Sequence, residues 1–271
     1  IDDFAAKNLN FKVFTIENRG LGGARNYGME KATGDYVIFI DSDDYIAENC
    51  IERFVNAACE QNGDIVCCNF CDVAEDGTPL LYYKNSYSEA VTDIYNQPQI
   101  LFNRFAATGK MYKRELFEGM QFVSREWYED LRLIVKLYLK AEKIVYVDDF
   151  LLFYVQRKGS IMNNSNAKRN LEIITAFEDV FGYYKSQKVY EGFKDELEFL
   201  VIEHILIAAV TRVALTKGSD KKEVIKKLLE YANSFDGIYK NKYIKSLGFN
   251  KRLILFFNKN IGFIVGKLIL K

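Results

Sequence analysis

The chain is poor in several residue types, and each shortage excludes something. Two prolines among 271 residues, with 49% apolar and 15% aromatic content, rule out a Pro-rich or disordered polymer and leave ample material for a core. A single histidine, His204, and no second cysteine pair to join Cys67-Cys68-x-x-Cys71 argue against a Cys/His metal centre. Those cysteines lie in the apolar run Asp64-Ile-Val-Cys-Cys-Asn-Phe and read as small buried hydrophobes of a strand; His204 reads as a packed or surface residue of a helix. Five cysteines are an odd number with none beyond Cys71, which predicts reduced thiols in a cytosolic setting. No stretch resembles a secretory signal, and no apolar run is long enough to span a bilayer. With 37 basic and 37 acidic residues, the chain as a whole carries no charge signal.

The most informative stretch is Tyr36-Val-Ile-Phe-Ile-Asp-Ser-Asp-Asp44, an apolar run that ends in three carboxylates. It predicts a strand buried on both faces of a sheet, with a ligand site outside its carboxyl end. Alternation along an extended segment turns Asp41 and Asp43 to one side and Asp44 to the other. Carboxylates converging on one point repel unless a cation separates them, and Mg²⁺ or Mn²⁺ takes carboxylate and diphosphate oxygens together. The bland alternative is a solvated acidic turn.

Around it, Phe11–Glu17 alternates like a strand, and a glycine-rich turn leads to a helix from about Ala24 to Ala32. A helix over Glu48–Gln61 and a strand from Asp64 follow. Strands alternating with helices predict an α/β fold with a mainly parallel sheet. The segment from Pro79 to Phe117 is loop-rich, with a turn at Asp76-Gly77. Tyr128–Lys140 is an amphipathic helix, and short strands are expected at Ile144–Val147 and Leu151–Val155. Beyond about Asn166 only helices are expected.

Gly20-Leu-Gly-Gly-Ala-Arg-Asn-Tyr-Gly28 joins strand to helix, where glycines permit close backbone approach to a ligand and a helix N-terminus favours anions. It is neither a dinucleotide fingerprint nor a P-loop. In combination the motifs gain specificity. Asn18-x-Gly20, Ala24-Arg25-Asn26-x-Gly28, Ala32-x-Gly34-Asp35-Tyr36 and Asp41-Ser-Asp-Asp44 together resemble the inverting family 2 glycosyltransferases of the GT-A fold. Gly109-Lys110-Met-Tyr-Lys, Trp127-Tyr-Glu129-Asp130 and Tyr154-x-x-Arg157-x-Gly159-Ser160-Ile161 resemble that family's later motifs, in order, over residues 11–162.

The resemblance implies a GT-A catalytic domain over 1–165, a mostly parallel sheet flanked by helices, followed by a helical C-terminal region over 166–271. It implies transfer of a sugar from a nucleoside-diphosphate-sugar, most commonly a uridine diphosphate sugar, to a hydroxyl of a glycan or lipid-linked sugar in surface polysaccharide or glycoconjugate synthesis. Asp41 and Asp43 then match the acidic motif that holds Mg²⁺ or Mn²⁺, with Asp43 the more direct ligand. Asp130 matches the general base, with Glu129 beside it. Arg25, Asn26, Asp41, Lys110, Arg157 and Ser160 match nucleotide-sugar contacts. Read alone, Glu129-Asp130 is an ordinary acidic first turn of a helix, and Lys110 and Arg157 are ordinary surface cations.

The family's usual opening, with a strand ending in Asp-Asp-Gly-Ser, is not found in this sequence, so about 50 leading residues of a whole enzyme are expected to be missing. From Gly237 on, every charged residue is basic, and the apolar, lysine-bearing stretch 250–271 predicts an amphipathic helix lying on an anionic membrane. The expected setting is therefore cytoplasmic, peripheral on the inner face of the cell membrane. No nucleic-acid module accompanies these charges. Two competing readings are a non-catalytic membrane- or partner-binding module derived from such an enzyme, and a nucleotidyltransferase with a similar sheet.

Overall fold

The computed structural model describes residues 7–8, 10–85, 87, 89–157, 166–216 and 219–260. Helix α1 (Gly20–Lys31) leads to strand β1 (Tyr36–Ile38), β2 (Tyr45–Ile46) and α2 (Cys50–Gln61). Then come β3 (Ile65–Val73), β4 (Pro79–Tyr83), β5 (Val91–Thr92), β6 (Lys110–Lys113), α3 (Glu129–Lys140) and β7 (Ile144–Val155). The chain continues as α4 (Glu172–Ser186) and α5 (Lys194–Val201), which runs through a π-helical stretch (Ile202–Ala209) into α6 (Val210–Leu215). Helices α7 (Lys221–Asn233) and α8 (Phe249–Asn260) follow.

The sheet order is β1-β6-β3-β7-β2, with β4 on β3 and β5 on β7. Its centre is β3, and the period of two along it builds two cores. Ile65 and Cys67 face α3 and the helical region, whereas Val66 and Cys68 face α2 through Cys50, Phe54 and Ala58. The cysteines serve as the small buried residues their sequence setting suggested.

Three expectations need correction. The sheet is mixed α/β, but among the described strands only β3 and β7 form a parallel ladder. The supposed loop region 79–117 supplies β4, β5 and β6, all antiparallel to their neighbours. The β3–β4 link is a tight turn closed by Ala74 and Thr78 with Gly77 at φ 85°, and a connection that short can only return antiparallel. Second, among the described residues Phe11–Glu17 pairs with no strand; Phe11 and Val13 are exposed, the Phe11 N–H donates to the Asn8 carbonyl at 2.9 Å, and Phe14 meets the edge of the Tyr27 ring at 5.6 Å. Third, β1 lies at the end of the sheet order, with Ile40 47% exposed, so the run before Asp41 is not buried on both faces.

One buried cluster runs from Val37 to Leu255. The Tyr184 hydroxyl donates to the Val135 carbonyl at 3.0 Å, joining α4 to α3, and Phe102 packs edge-on against Phe199 and Tyr243. The helical region therefore shares the core of the sheet region. The boundary expected near 165 falls in residues 158–165, outside the described ones.

Candidate active site

The glycine-rich turn does something other than admit a ligand. Gly20 starts α1 at φ 72°, and a Cβ on Gly22 would sit 2.2 Å from the Val123 carbonyl oxygen. The glycines let the first turn of α1 lie against the 122–125 loop. The Asn26 amide is spent on the same loop, donating to the Phe122 carbonyl at 2.7 Å and accepting from the Phe122 N–H at 2.9 Å. That docking aims Arg25 inward.

Arg25 is 7% exposed and bridges three carboxylates: Asp41 at 3.0 Å, Glu129 at 3.2 Å and Asp130 through a short contact. Burial opposes its charge and the three acids more than offset that, leaving its pKa raised. Burial pushes Glu129 and Asp130 up, against the lowering influence of Arg25. The other Asp130 oxygen accepts the Ala107 N–H at 3.0 Å. Immediately before this pair Tyr128 sits at φ 64°, a region costly for a bulky residue, and its hydroxyl is held by Arg212 at 3.0 Å and Asn170 at 3.2 Å. The start of α3 is therefore pinned from the helical region.

The tetrad after β1 is a turn, with the Asp44 N–H donating to the Asp41 carbonyl at 3.1 Å, and not the extended segment on which the alternation was expected. Asp41 goes to Arg25, Asp43 pairs with Arg157 and Asp44 accepts the Val155 N–H at 3.0 Å. The second Asp44 oxygen is buried without a partner, and burial raises this acid to about 6, with Asp43 and Asp41 adding to the rise.

Asp41, Asp43, Glu129, Asp130, Arg25 and Arg157 line one cavity of about 420 Å³ together with Trp127, Arg104, Tyr154 and Arg212. Lys110 is not among them. Its ammonium is buried and donates to the Arg104 and Ala106 carbonyls at 2.7 and 2.8 Å, and burial lowers its pKa. Asn26 lies outside the cavity, and Ser160 lies outside the described residues. Sequence reasoning missed Arg104 and Arg212: neither stands in a recognisable motif, and no local signal marks them.

A second cavity, about 670 Å³, adjoins the first across Arg104 and Tyr154. The π-helical stretch turns Glu203 and His204 toward it, in keeping with the tendency of such stretches to occur at functional sites. Burial, with Lys251 and Arg212 nearby, lowers His204 to about 4.

Residues 1–120 match the family described as Glycosyl transferase family 2. Over 169 residues the chain is 35% identical to the glycosyltransferase GlyA of Streptococcus pneumoniae, covering 59% of this chain and 24% of that protein. It is 30% identical to GlyG of the same organism, covering 59% of this chain and 57% of that one, so it spans between a quarter and three-fifths of these relatives. A cholesterol galactosyltransferase of Borreliella burgdorferi is 25% identical over 94% of this chain and 76% of its own length. Among solved structures, Staphylococcus aureus TarS with UDP-GlcNAc superimposes with a TM-score of 0.54 at 16% identity, over 92% of this chain and 79% of that one. The fold is thus the GT-A fold of TarS, with a helical C-terminal region.

Proposed function

We propose, for a chain that belongs to glycosyl transferase family 2 through residues 1–120, that it transfers a sugar from a nucleoside-diphosphate-sugar to an acceptor hydroxyl with inversion. The observation that carries the reading is the convergence of Asp41, Asp43, Glu129 and Asp130, from two separate segments, on one cavity. TarS, a fold relative, is described in complex with UDP-GlcNAc, which favours a uridine diphosphate sugar as donor. Residues 1–165 form the catalytic part in this reading, and Glu203, His204, Arg212 and Lys251 of the helical region over 166–271 wall its acceptor side.

Asp130 takes the proton of the attacking hydroxyl. Its oxygens already accept from Arg25 and Ala107, which fixes the carboxylate while leaving further lone pairs toward the cavity. Arg25 keeps Asp130 and Glu129 from repelling each other and Asp41. Arg157 on Asp43 ties the chain after β7 to the acidic turn, beside the expected diphosphate. Lys110 is a positioning residue: by holding two carbonyls it sets the 104–107 segment whose Ala107 N–H orients Asp130.

The residues suit a hard divalent cation. Mg²⁺ binds through one or two carboxylates plus substrate phosphates; Asp41 and Asp43 supply them, and the unpartnered buried oxygen of Asp44 marks unmet demand for positive charge beside them. When bound, Mg²⁺ or Mn²⁺ supplies Lewis-acid stabilisation of the leaving diphosphate.

Helix α8 exposes Phe249, Leu253, Phe256 and Phe257 beside Lys251, Arg252 and Lys259. Among the described residues no helix is long and apolar enough to cross a membrane. This face supports peripheral contact with an anionic membrane from the cytoplasm, with a lipid-linked acceptor. Sedimentation with anionic vesicles should weaken in Phe256→Asp; equal binding of both proteins would remove the membrane from the reading.

The test of transfer is release of nucleoside diphosphate from a panel of nucleotide-sugars with Mn²⁺. Asp130→Asn should lose about 10² to 10⁴ in rate, and Asp43→Ala should abolish the metal response. If both variants match the parent, the site assignment fails and a binding module becomes the better reading.

A further inference from the structure

The charges of the first cavity are unevenly met. Three carboxylates share Arg25, and Asp43 has Arg157, so the acidic wall has more negative charge than its own arginines cancel. The opposite imbalance holds for Arg104 and Arg212. Both line the same cavity, and among the described residues no carboxylate lies within ion-pair distance of either. The Arg104 guanidinium lies over the Phe70 and Tyr154 rings, 4.4 and 4.5 Å from their centres, and Phe70 is itself stacked on Tyr83. Stacking immobilises a guanidinium by its faces and leaves its N–H edges to bind in plane. Arg212 is aimed by the Tyr128 hydroxyl and the Asn170 carbonyl oxygen at 3.0 and 3.1 Å.

Arg104 stands in the shared wall of both cavities, so this basic wall lies where the first cavity opens into the second. The second cavity also carries Lys84 and Lys251, but these are paired with Asp148 and Glu203, and Asp72 stands in the same lining, so Arg104 is the cation there without a carboxylate within ion-pair distance among the described residues. Two held guanidinium groups without carboxylate partners, on the lining of one cavity, offer the charge-assisted N–H donors that phosphate oxygens take. We propose that the acceptor is a phosphate-bearing polyol or glycan lying in the second cavity, its phosphate seated on Arg104 and Arg212 and a nearby hydroxyl directed to Asp130. This rests on the transferase reading and names its acceptor class.

The sole tryptophan, Trp127, lines the same cavity and reports on the site. Its fluorescence is titrated with glycerol 3-phosphate, and with glycerol as the uncharged control, in chelator so that no divalent cation takes part. Saturable, salt-sensitive binding of the phosphate compound alone is expected, at least tenfold weaker in Arg104→Gln and in Arg212→Gln and unchanged in Lys227→Gln, which removes an exposed cation away from the cavity. Arg104→Lys keeps the charge without the stacked plane and should fall between. Circular dichroism identifies any variant that fails to fold, and Arg104→Lys then carries the comparison. Binding that is unaffected by the arginine variants, or matched by glycerol, overturns the proposal. A second arm measures uridine diphosphate with Mn²⁺ in the same proteins. If the arginine variants weaken it as much as glycerol 3-phosphate, the arginines serve the donor and the acceptor assignment falls. If the parent fails to bind uridine diphosphate, the donor reading falls, while the glycerol 3-phosphate result still decides the anion seat.

Discussion

The sheet region and the helical region both line the candidate cavities, and they do so differently. The sheet region brings acids on short segments, the turn after β1 and the first turn of α3, where neighbouring residues already carry the chemistry. The helical region brings Arg212 from α6, a single residue in an apolar sequence, and the lone pair Glu203-His204 from the π-helical stretch. A motif can be recognised when its members are adjacent in the chain. A site assembled from solitary residues exists only once the helices have packed.

The comparison breaks most decisively at Arg25. Arg25→Met removes the one cation shared by Asp41, Glu129 and Asp130 and should cost about 3–5 kcal/mol, because it leaves buried carboxylates uncompensated. Urea unfolding measures this, and a loss below 1 kcal/mol would mean the acids relax into solvent instead.

On the helical side the matching probe is His204. Its folded pKa, about 4, lies below its ordinary value of about 6.5. The unfolded chain therefore binds the extra proton first as pH falls. Stability from the neutral, partly buried imidazole is complete above about 6.5 and is lost as pH drops toward 4, by at most about 3 kcal/mol. As the only histidine, its ring protons give an unambiguous NMR titration. A midpoint near 6.5, or a His204→Leu variant with an unchanged acid limb, would contradict the packing described.

The smallest effect is expected where neither wall is involved. Lys227 and Glu223 form an exposed i,i+4 pair on α7, and Lys227→Ala should leave the melting temperature within experimental scatter. A marked drop would mean that α7 contributes more to the core than its exposed face indicates.

Much of the candidate cavity's lining was legible. The ordered motifs identified Asp41, Asp43, Glu129 and Asp130, and all four meet in one cavity. Lys110 was less legible, since a lysine in a short strand looks solvent-directed until two carbonyls are found around its ammonium. The glycines of α1 had a local signal whose purpose was ambiguous: close approach was needed, but to the Val123 carbonyl. The parallel sheet expectation failed because β4, with every residue exposed, lacks the alternation that marks a half-buried strand.

The sequence by itself determined the likeness to glycosyl transferase family 2 over residues 1–120, the order of the main helices and the residue types of the acidic wall, because each depends on spacing along the chain. Tertiary structure alone decided which cation neutralises which acid, which strands run antiparallel and where Arg104 and Arg212 stand. Those outcomes depend on distances between residues as far apart as Arg25 and Asp130, and such distances are set by how the two cores close on β3, not by any local preference of the chain.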